Sequence, residues 1–214
     1  MLETLYCDEH MFGFNPRPDP LGRALMAAQR AVEATPTSNL ACQALAQALF
    51  FRREFASFRP LAERTIALNP MDGATVAFMG ALIACSGDWD RGCAVTEDAM
   101  RLNPHFPGWY RLASVFNAYR QGDYRASVEG ALRINIPGYF WTFVMSAAAF
   151  GQLGDLPAAE KAFENCFRRG RTLPPRLAKN SADGLTRNWS STYSRVCAKQ
   201  ACPSEPEGQN DRAR

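Results

Sequence analysis

The feature that most constrains the fold is a three-residue phrase, Leu-Asn-Pro, that occurs twice with the same spacing as a longer series of prolines. The phrase stands at Leu68–Pro70 and again at Leu102–Pro104. Pro36 and Pro137 also follow helical patterns, so the four prolines (36, 70, 104, 137) are 34, 34 and 33 residues apart. Proline lacks an amide proton and restricts the residue before it, and it therefore stops a helix. A fixed interval of this length predicts a stack of repeated units.

A second kind of helix boundary lies between these prolines. The dipeptide Gly-Asp occurs at Gly87-Asp88, Gly122-Asp123 and Gly154-Asp155. Glycine suits the left-handed position that follows a helix, and aspartate suits the N-cap of the next helix. Each unit is therefore predicted to be a helix, a tight turn and a second helix. The first unit departs from this pattern, with "RREF" at the turn (52–55), and the third is predicted to have a slightly long first helix and a short second helix.

Paired helices that repeat every 34 residues are typical of the tetratricopeptide repeat (TPR), and the side chains agree with that motif. Gly80 stands where the two helices would cross closely, and Ala99 is the small residue expected on the second helix. We therefore predict an all-α fold, a right-handed superhelical solenoid of antiparallel helix pairs. The predicted repeats cover about 36–70, 71–104, 105–137 and 138–169, after a partial helical repeat over 1–35 in which Asp19 and Pro20 begin a helix.

Four longer phrases carry a more particular resemblance: "FGFNPRPDPLGRAL", "LNPHFPGWY", "NAYRQGDY" and "RINIPGYFW". Together they resemble the C-terminal TPR region of bacterial class III adenylate or guanylate cyclase-like proteins and of winged-helix or TolB-like signalling proteins. In that family the repeats follow a catalytic or DNA-binding domain and are taken to sense or dock. The resemblance implies a missing upstream domain, as does a start inside a unit. No residue here matches the metal-binding or purine-reading positions of a cyclase, so no catalytic residue is carried over.

The charge is divided unevenly along the 214 residues. The net charge of +3 is the sum of −3 over residues 1–167 (14 Lys and Arg, 17 Asp and Glu) and +6 over 168–214 (10 and 4). Residues 170–214 are polar and basic and are predicted to be a disordered tail. Because the basic residues of the tail are scattered and its aromatic residues are only Trp189 and Tyr193, we expect no nucleic-acid partner.

Targeting signals and membrane spans are not expected either. The N-terminus has no basic region before an apolar run, which favours a cytoplasmic location. The stretch between Arg133 and Asp155 has no charge, but Asn135, Pro137 and Gly138 leave only a short apolar segment. We therefore predict a buried solenoid helix there and no membrane contact.

The sequence offers no constellation for catalysis or metal binding. Its seven cysteines contain no CxxC pair, and its two histidines lie far apart. Asp8, Glu9 and His10 are adjacent, but adjacent residues on a helix point in different directions, so they are predicted to form a solvated face. We expect no enzyme activity and no cofactor.

The first helix of each unit is predicted to line an inner groove that takes a protein or peptide partner, or an associated upstream domain. An apolar lining could bind an apolar or aromatic peptide, or its residues could simply pack between turns of the solenoid. The function predicted is a non-catalytic scaffold in bacterial signalling, and the alternative is an inert regulatory remnant of a cyclase-like or transcriptional regulator protein. The candidate groove residues are Gln43, Gln47, Phe50, Ala77, Ala81, Trp109, Leu112, Phe116, Trp141 and Val144.

Overall fold

The computed structural model describes residues 2–12 and 17–167. They form ten α-helices and one short 3₁₀ helix. The helices are α1 (Leu2–Phe12), α2 (Pro20–Ala34), α3 (Asn39–Phe51), α4 (Phe55–Leu68), α5 (Gly73–Cys85), α6 (Trp89–Leu102), the 3₁₀ helix (Gly108–Arg111), α7 (Leu112–Arg120), α8 (Tyr124–Leu132), α9 (Phe140–Leu153) and α10 (Leu156–Phe167).

Consecutive helices pack as antiparallel pairs, and the pairs stack in chain order. α1 packs on α2, α3 on α4, α5 on α6, α7 on α8 and α9 on α10. Each second helix also contacts the first helix of the following pair, and the first helices contact one another in succession. The predicted all-α TPR-like solenoid is confirmed. The division into repeats with the stated bounds stays a prediction.

The predicted Gly-Asp turns are confirmed. Gly87, Gly122 and Gly154 have φ angles of 104°, 83° and 78°, in the left-handed region that glycine adopts without penalty. Aspartate then caps the second helix in each case. The Oδ1 atoms of Asp88, Asp123 and Asp155 accept backbone hydrogen bonds at 3.3, 3.0 and 3.1 Å.

The turn between α3 and α4 makes the same left-handed bend with a residue less suited to it. Arg53 has φ 63° where the other turns have glycine. Glu54 follows at the N-cap position, and its side chain makes no capping hydrogen bond. This turn therefore lacks both of the local devices that stabilise the others.

Small residues let α5 and α6 cross closely, as predicted for Gly80. A Cβ atom on Gly80 would lie 2.8 Å from Val95 Cγ1, and one on Gly92 would lie 2.3 Å from the backbone nitrogen of Ala84. The main hydrophobic core continues from this pair into its neighbours through residues such as Phe50, Phe58 and Met79.

The α7/α8 pair departs from the regular repeat. The sequence predicted a longer first helix in this pair, and that prediction is wrong. The first helix begins as a 3₁₀ helix, and α7 has only nine residues. α8 ends at Leu132, well before Pro137, because the chain turns through Asn135 (φ 46°) and Gly138 (φ 74°). The early end lets Gly108 approach the main chain so closely that a Cβ atom there would meet the carbonyl oxygen of Ile134 at 1.8 Å.

The first helix pair, α1 and α2, is joined by a partly buried ion pair. Glu9 is 4% exposed and bonds with Arg23, whose guanidinium lies 4.5 Å from the centre of the Tyr6 ring. The prediction of a solvated Asp8-Glu9-His10 face is therefore wrong for Glu9. The predicted start of α2 is confirmed, because Asp19 Oδ1 accepts a hydrogen bond from the Gly22 amide at 2.9 Å and Pro20 is the first helical residue.

The uncharged stretch before Asp155 forms α9, whose central residues are buried. None of the described helices combines the length and the apolarity that crossing a membrane requires. The predicted disordered tail, 170–214, lies outside the described residues.

Candidate protein-interaction surface

The N-caps of the second helices give a common register for the first helices. In the last four pairs, the N-cap residues of the second helices are 54, 88, 123 and 155. The residue seven places earlier is Gln47, Ala81, Phe116 or Ala148, and we call these four residues the middle row. The residue fourteen places earlier is Leu40, Ala74, Trp109 or Trp141, and we call these four the end row. Both rows lie on one stripe of each helix because they are two turns apart.

The structure divides the ten predicted groove residues into two groups. Gln43, Ala81, Trp109 and Trp141 are partly accessible. The other six are more than nine-tenths buried: Gln47 and Phe50 on α3, Ala77 on α5, Leu112 and Phe116 on α7 and Val144 on α9. For Phe50 the neighbours are the rings of Phe55 and Phe58, at 5.8 and 5.5 Å between centroids, so that residue belongs to the core of its own pair.

The accessible stripe also includes residues outside the ten candidates, and of these the sequence reasoning missed Leu40 and Phe78. Leu40 is 66% exposed, Ala74 is exposed, and Phe51 and Phe78 are partly exposed. On α5 the spacing of Ala74, Phe78 and Ala81 is four and three residues, which places them on one face. The N-cap register places Leu40 and Ala74 in the end row, and Phe78 lies between the two rows on the same face of α5. We call the following set the inner surface: Leu40, Gln47, Phe51, Ala74, Phe78, Ala81, Trp109, Phe116 and Trp141.

Aromatic rings form one end of the inner surface. Trp141 meets Phe116 edge to face, with 5.6 Å between the ring centroids, and Phe140 lies against Trp141 at 5.4 Å. Tyr139 is partly buried beside them, and its burial raises the pKa of the phenol to about 12. The phenol is therefore neutral at physiological pH, and these aromatic side chains are uncharged.

Charge is separated between the first and second helices of the α3/α4, α5/α6 and α9/α10 pairs. α3, α5 and α9 contain no Asp, Glu, Lys or Arg. The second helices, which we call the outer helices, carry many charged side chains. Several of these side chains form ion pairs with one another or cap a neighbouring helix. Arg91 bonds both carboxylate oxygens of Glu63 at 2.8 Å, which lowers the pKa of Glu63, and Arg59 donates to the Ser86 carbonyl at 2.6 Å.

A polar cluster lies where α3 and α5 begin, and its role is structural. The Asp72 carboxylate caps α5 and accepts hydrogen bonds from the Thr75 hydroxyl (2.7 Å) and from Asn39 Nδ2 (3.1 Å). Burial raises the pKa of Asp72, but these hydrogen bonds outweigh that effect and hold it below its usual value. Gln43 joins the cluster through Thr75 at 2.8 Å, so its amide is already occupied.

Gln47 differs from Gln43 because its amide has no such partner. It is 7% exposed and makes no hydrogen bond with any residue in the ranges 2–12 and 17–167. Within those ranges, the fully enclosed side-chain oxygens and nitrogens that lack a partner belong to Thr142 and Ser146. The Gln47 amide therefore keeps a small opening to the outside, at the only polar position of the middle row.

The described cysteines do not form a reactive or metal-binding site. Cys7, Cys42 and Cys85 are buried thiols, and Cys93 is half-buried. Burial, with the neighbouring carboxylates of Asp8 and Glu3, raises the pKa of the Cys7 thiol to about 12. In the part of the chain that the structure describes, no three His, Cys, Asp or Glu residues are grouped to hold a metal ion.

No protein-family model matches the chain. No curated protein matches it in sequence. Among solved structures, the crystal structure of PilW, a "widely conserved type IV pilus biogenesis factor", is similar, with a TM-score of 0.62 and 15% sequence identity over 92% of this chain and 91% of PilW. At this identity the likeness shows a shared TPR fold alone, and the resemblance to cyclase-associated repeats rests on the four sequence phrases.

Proposed function

We propose that this chain is a non-catalytic TPR scaffold whose inner surface binds a segment of a partner protein. The observation that carries the proposal is the separation of charge within the solenoid. The first helices α3, α5 and α9 are uncharged, yet their inner stripe exposes Leu40, Phe78 and Trp141 in whole or part. Side chains of this kind, contiguous at a surface, mark a contact site.

The curvature of a helical solenoid supports this assignment. Stacked helix pairs create an extended concave surface, and the first helices contact one another in succession along it. A segment that runs across these helices would meet apolar and aromatic side chains from several pairs. Much of the middle row is packed between helix pairs. The bound segment would therefore contact the end row, Phe78 and Ala81, together with the accessible edges of Gln47 and Phe116.

A pull-down with the full chain as bait tests the proposal through a charge at Ala81. Ala81→Glu places a carboxylate in the middle row, where a bound apolar segment would bury it without a partner, and such burial is costly. We expect loss of a stoichiometric partner that the unchanged chain captures. Ala81→Gln controls for size, and Ala94→Glu controls for charge because Ala94 is exposed on the outer helix α6. Equal capture by both Glu variants would contradict the proposal.

Trp141→Ala is a poorer probe than Ala81→Glu. The Trp141 ring packs against Phe116 as well as forming part of the inner surface, so its removal leaves a cavity. Replacing a buried aromatic residue with alanine lowers the free energy of unfolding by about 3–5 kcal/mol. Binding and stability would fall together. If capture persisted in Trp141→Ala while only stability fell, Trp141 would have no part in binding.

A second candidate function is docking onto an upstream regulatory or catalytic domain, as the cyclase-like resemblance implies. One observation favours it: Leu2 and Leu5 of α1 and Met26 of α2 are 61%, 46% and 54% exposed at the N-terminal end of the stack. Such an end face suits a packed neighbour. This role predicts no activity from the isolated chain, and cyclic nucleotide production by the purified protein would contradict it.

A signalling role and a cytoplasmic location both remain predictions from the sequence. PilW is described as a pilus biogenesis factor, and that role is not carried over to this chain at 15% identity. Fractionation of native cells would test the location.

A further inference from the structure

The middle row contains one polar side chain, Gln47, whose amide reaches the surface without a hydrogen-bond partner among the described residues. The three equivalent residues are Ala81, Phe116 and Ala148, all apolar. A leucine of similar size would fill this site without losing any hydrogen bond to the described residues. Stability alone therefore does not account for a glutamine here.

The chemistry of the glutamine side chain indicates what it would recognise. A carboxamide presents one acceptor oxygen and a donor NH₂ group side by side. A peptide main chain presents an N–H and a C=O, which complement that pair. A carboxylate or an ammonium group on the ligand would use only one half of it and would bring a charge to a surface whose helices α3 and α5 have none.

We propose that Gln47 reads the main chain of an uncharged, apolar segment of a partner protein that lies across the inner surface. The segment places its backbone amide against Gln47 and its side chains against Ala81, Phe78 and the aromatic pair Phe116 and Trp141. This proposal rests on the proposed scaffold function. It adds the chemical class of the bound segment and the residue that hydrogen-bonds to its main chain. Gln43 does not share the role, since its amide is bonded to Thr75.

The assignment predicts that stability and binding respond in opposite directions at Gln47. Gln47→Leu removes an unpaired polar group and keeps the side-chain size, so the thermal midpoint stays the same or rises. Binding falls about tenfold, or about 1.4 kcal/mol, because two hydrogen bonds to the segment are lost. Gln29→Leu is the matched control, as Gln29 is exposed on the outer helix α2, and it leaves binding unchanged. A merely structural glutamine would lower stability and binding together.

The probe is a random peptide library displayed on phage and selected on the immobilised full chain. We expect enriched peptides to contain an uncharged apolar window with at least one large side chain. One such peptide is then synthesised with each backbone nitrogen methylated in turn. Methylation at one position should weaken binding to the unchanged chain about tenfold and have little further effect on Gln47→Leu, because both changes remove the same contact.

Each other result overturns part of the account in a distinguishable way. If Gln47→Leu binds the peptide unchanged while Ala81→Glu loses it, the proposed role of Gln47 is wrong and the scaffold function stands. Charged consensus peptides, no enrichment at all, or peptides insensitive to both changes reject the inner surface as the binding site. A concentration-dependent dimer that Gln47→Leu abolishes in sedimentation would make a second copy the occupant. Competition by a synthetic peptide of residues 168–214 would make the occupant a segment of this chain.

Discussion

Single residues at the turns between helices set much of the local stability of this solenoid. Three of the turns use glycine in the left-handed conformation followed by a capping aspartate. The turn after α3 uses Arg53 and Glu54, which provide neither the conformational freedom nor the cap. This difference can be tested one residue at a time.

Replacing Arg53 with glycine is expected to stabilise the protein. A left-handed conformation costs a residue with a side chain about 1–2 kcal/mol, and the greater entropy of glycine in the unfolded chain offsets about 0.4–1 kcal/mol of that. We predict a gain of about 0.5–1 kcal/mol, seen as a higher denaturant midpoint at an unchanged slope. Arg52→Gly is the control: Arg52 has φ −76° and an ion pair with Glu54, so its loss should not stabilise. Equal gains from both would reject backbone strain as the cause.

The sequence revealed these turn residues because their chemistry is local. Gly87-Asp88 needs only its own backbone and the next three residues to close one helix and cap another. The pairing of Glu9 with Arg23 joins residues 14 apart on two helices and could not be seen from adjacent positions. Glu9 was therefore assigned to a solvated face when it is buried.

The helix pairs cross through different contacts. α5 and α6 meet through Gly80 and Gly92, whereas Gly130 of α8 faces the methyl group of Val115. The prolines predicted where second helices stop in the regular pairs. They did not predict the early end of α8, because the close contact between Gly108 and Ile134 lies within the tertiary structure.

The α5/α6 crossing yields a prediction at the level of the element. In Gly92→Ala the new Cβ atom would meet the Ala84 backbone at 2.3 Å, so the helices must move apart. Overpacking of this kind costs about 1–3 kcal/mol, although alanine favours the helix by about 0.5–1 kcal/mol over glycine. We expect a net loss in equilibrium unfolding. Gly130→Ala should cost less, since its Cβ atom would meet only a side-chain methyl group of Val115, at 2.8 Å, and no backbone atom of the facing helix. A larger loss for Gly130→Ala would contradict this view of the crossing.

Over the whole molecule, the stacking of pairs decides which groove residues remain accessible. The sequence register placed Ala77, Leu112 and Val144 on the groove, and the structure buries all three. A helical register gives the angle of a residue around its own helix. It does not tell how far the next pair covers that angle, and this coverage leaves Ala81, Trp109 and Trp141 accessible while it buries the others.

The central claim is that the uncharged inner surface binds a partner protein, and photo-cross-linking tests it most directly. Phe78 on the inner surface and Ala94 on the outer helix α6 are each replaced, in the full chain, by p-benzoylphenylalanine, and native cells expressing each variant are irradiated. The account predicts a discrete cross-linked partner from position 78 that is absent from position 94. A partner cross-linked from position 94 and not from position 78, or the same set of products from both positions, would contradict it.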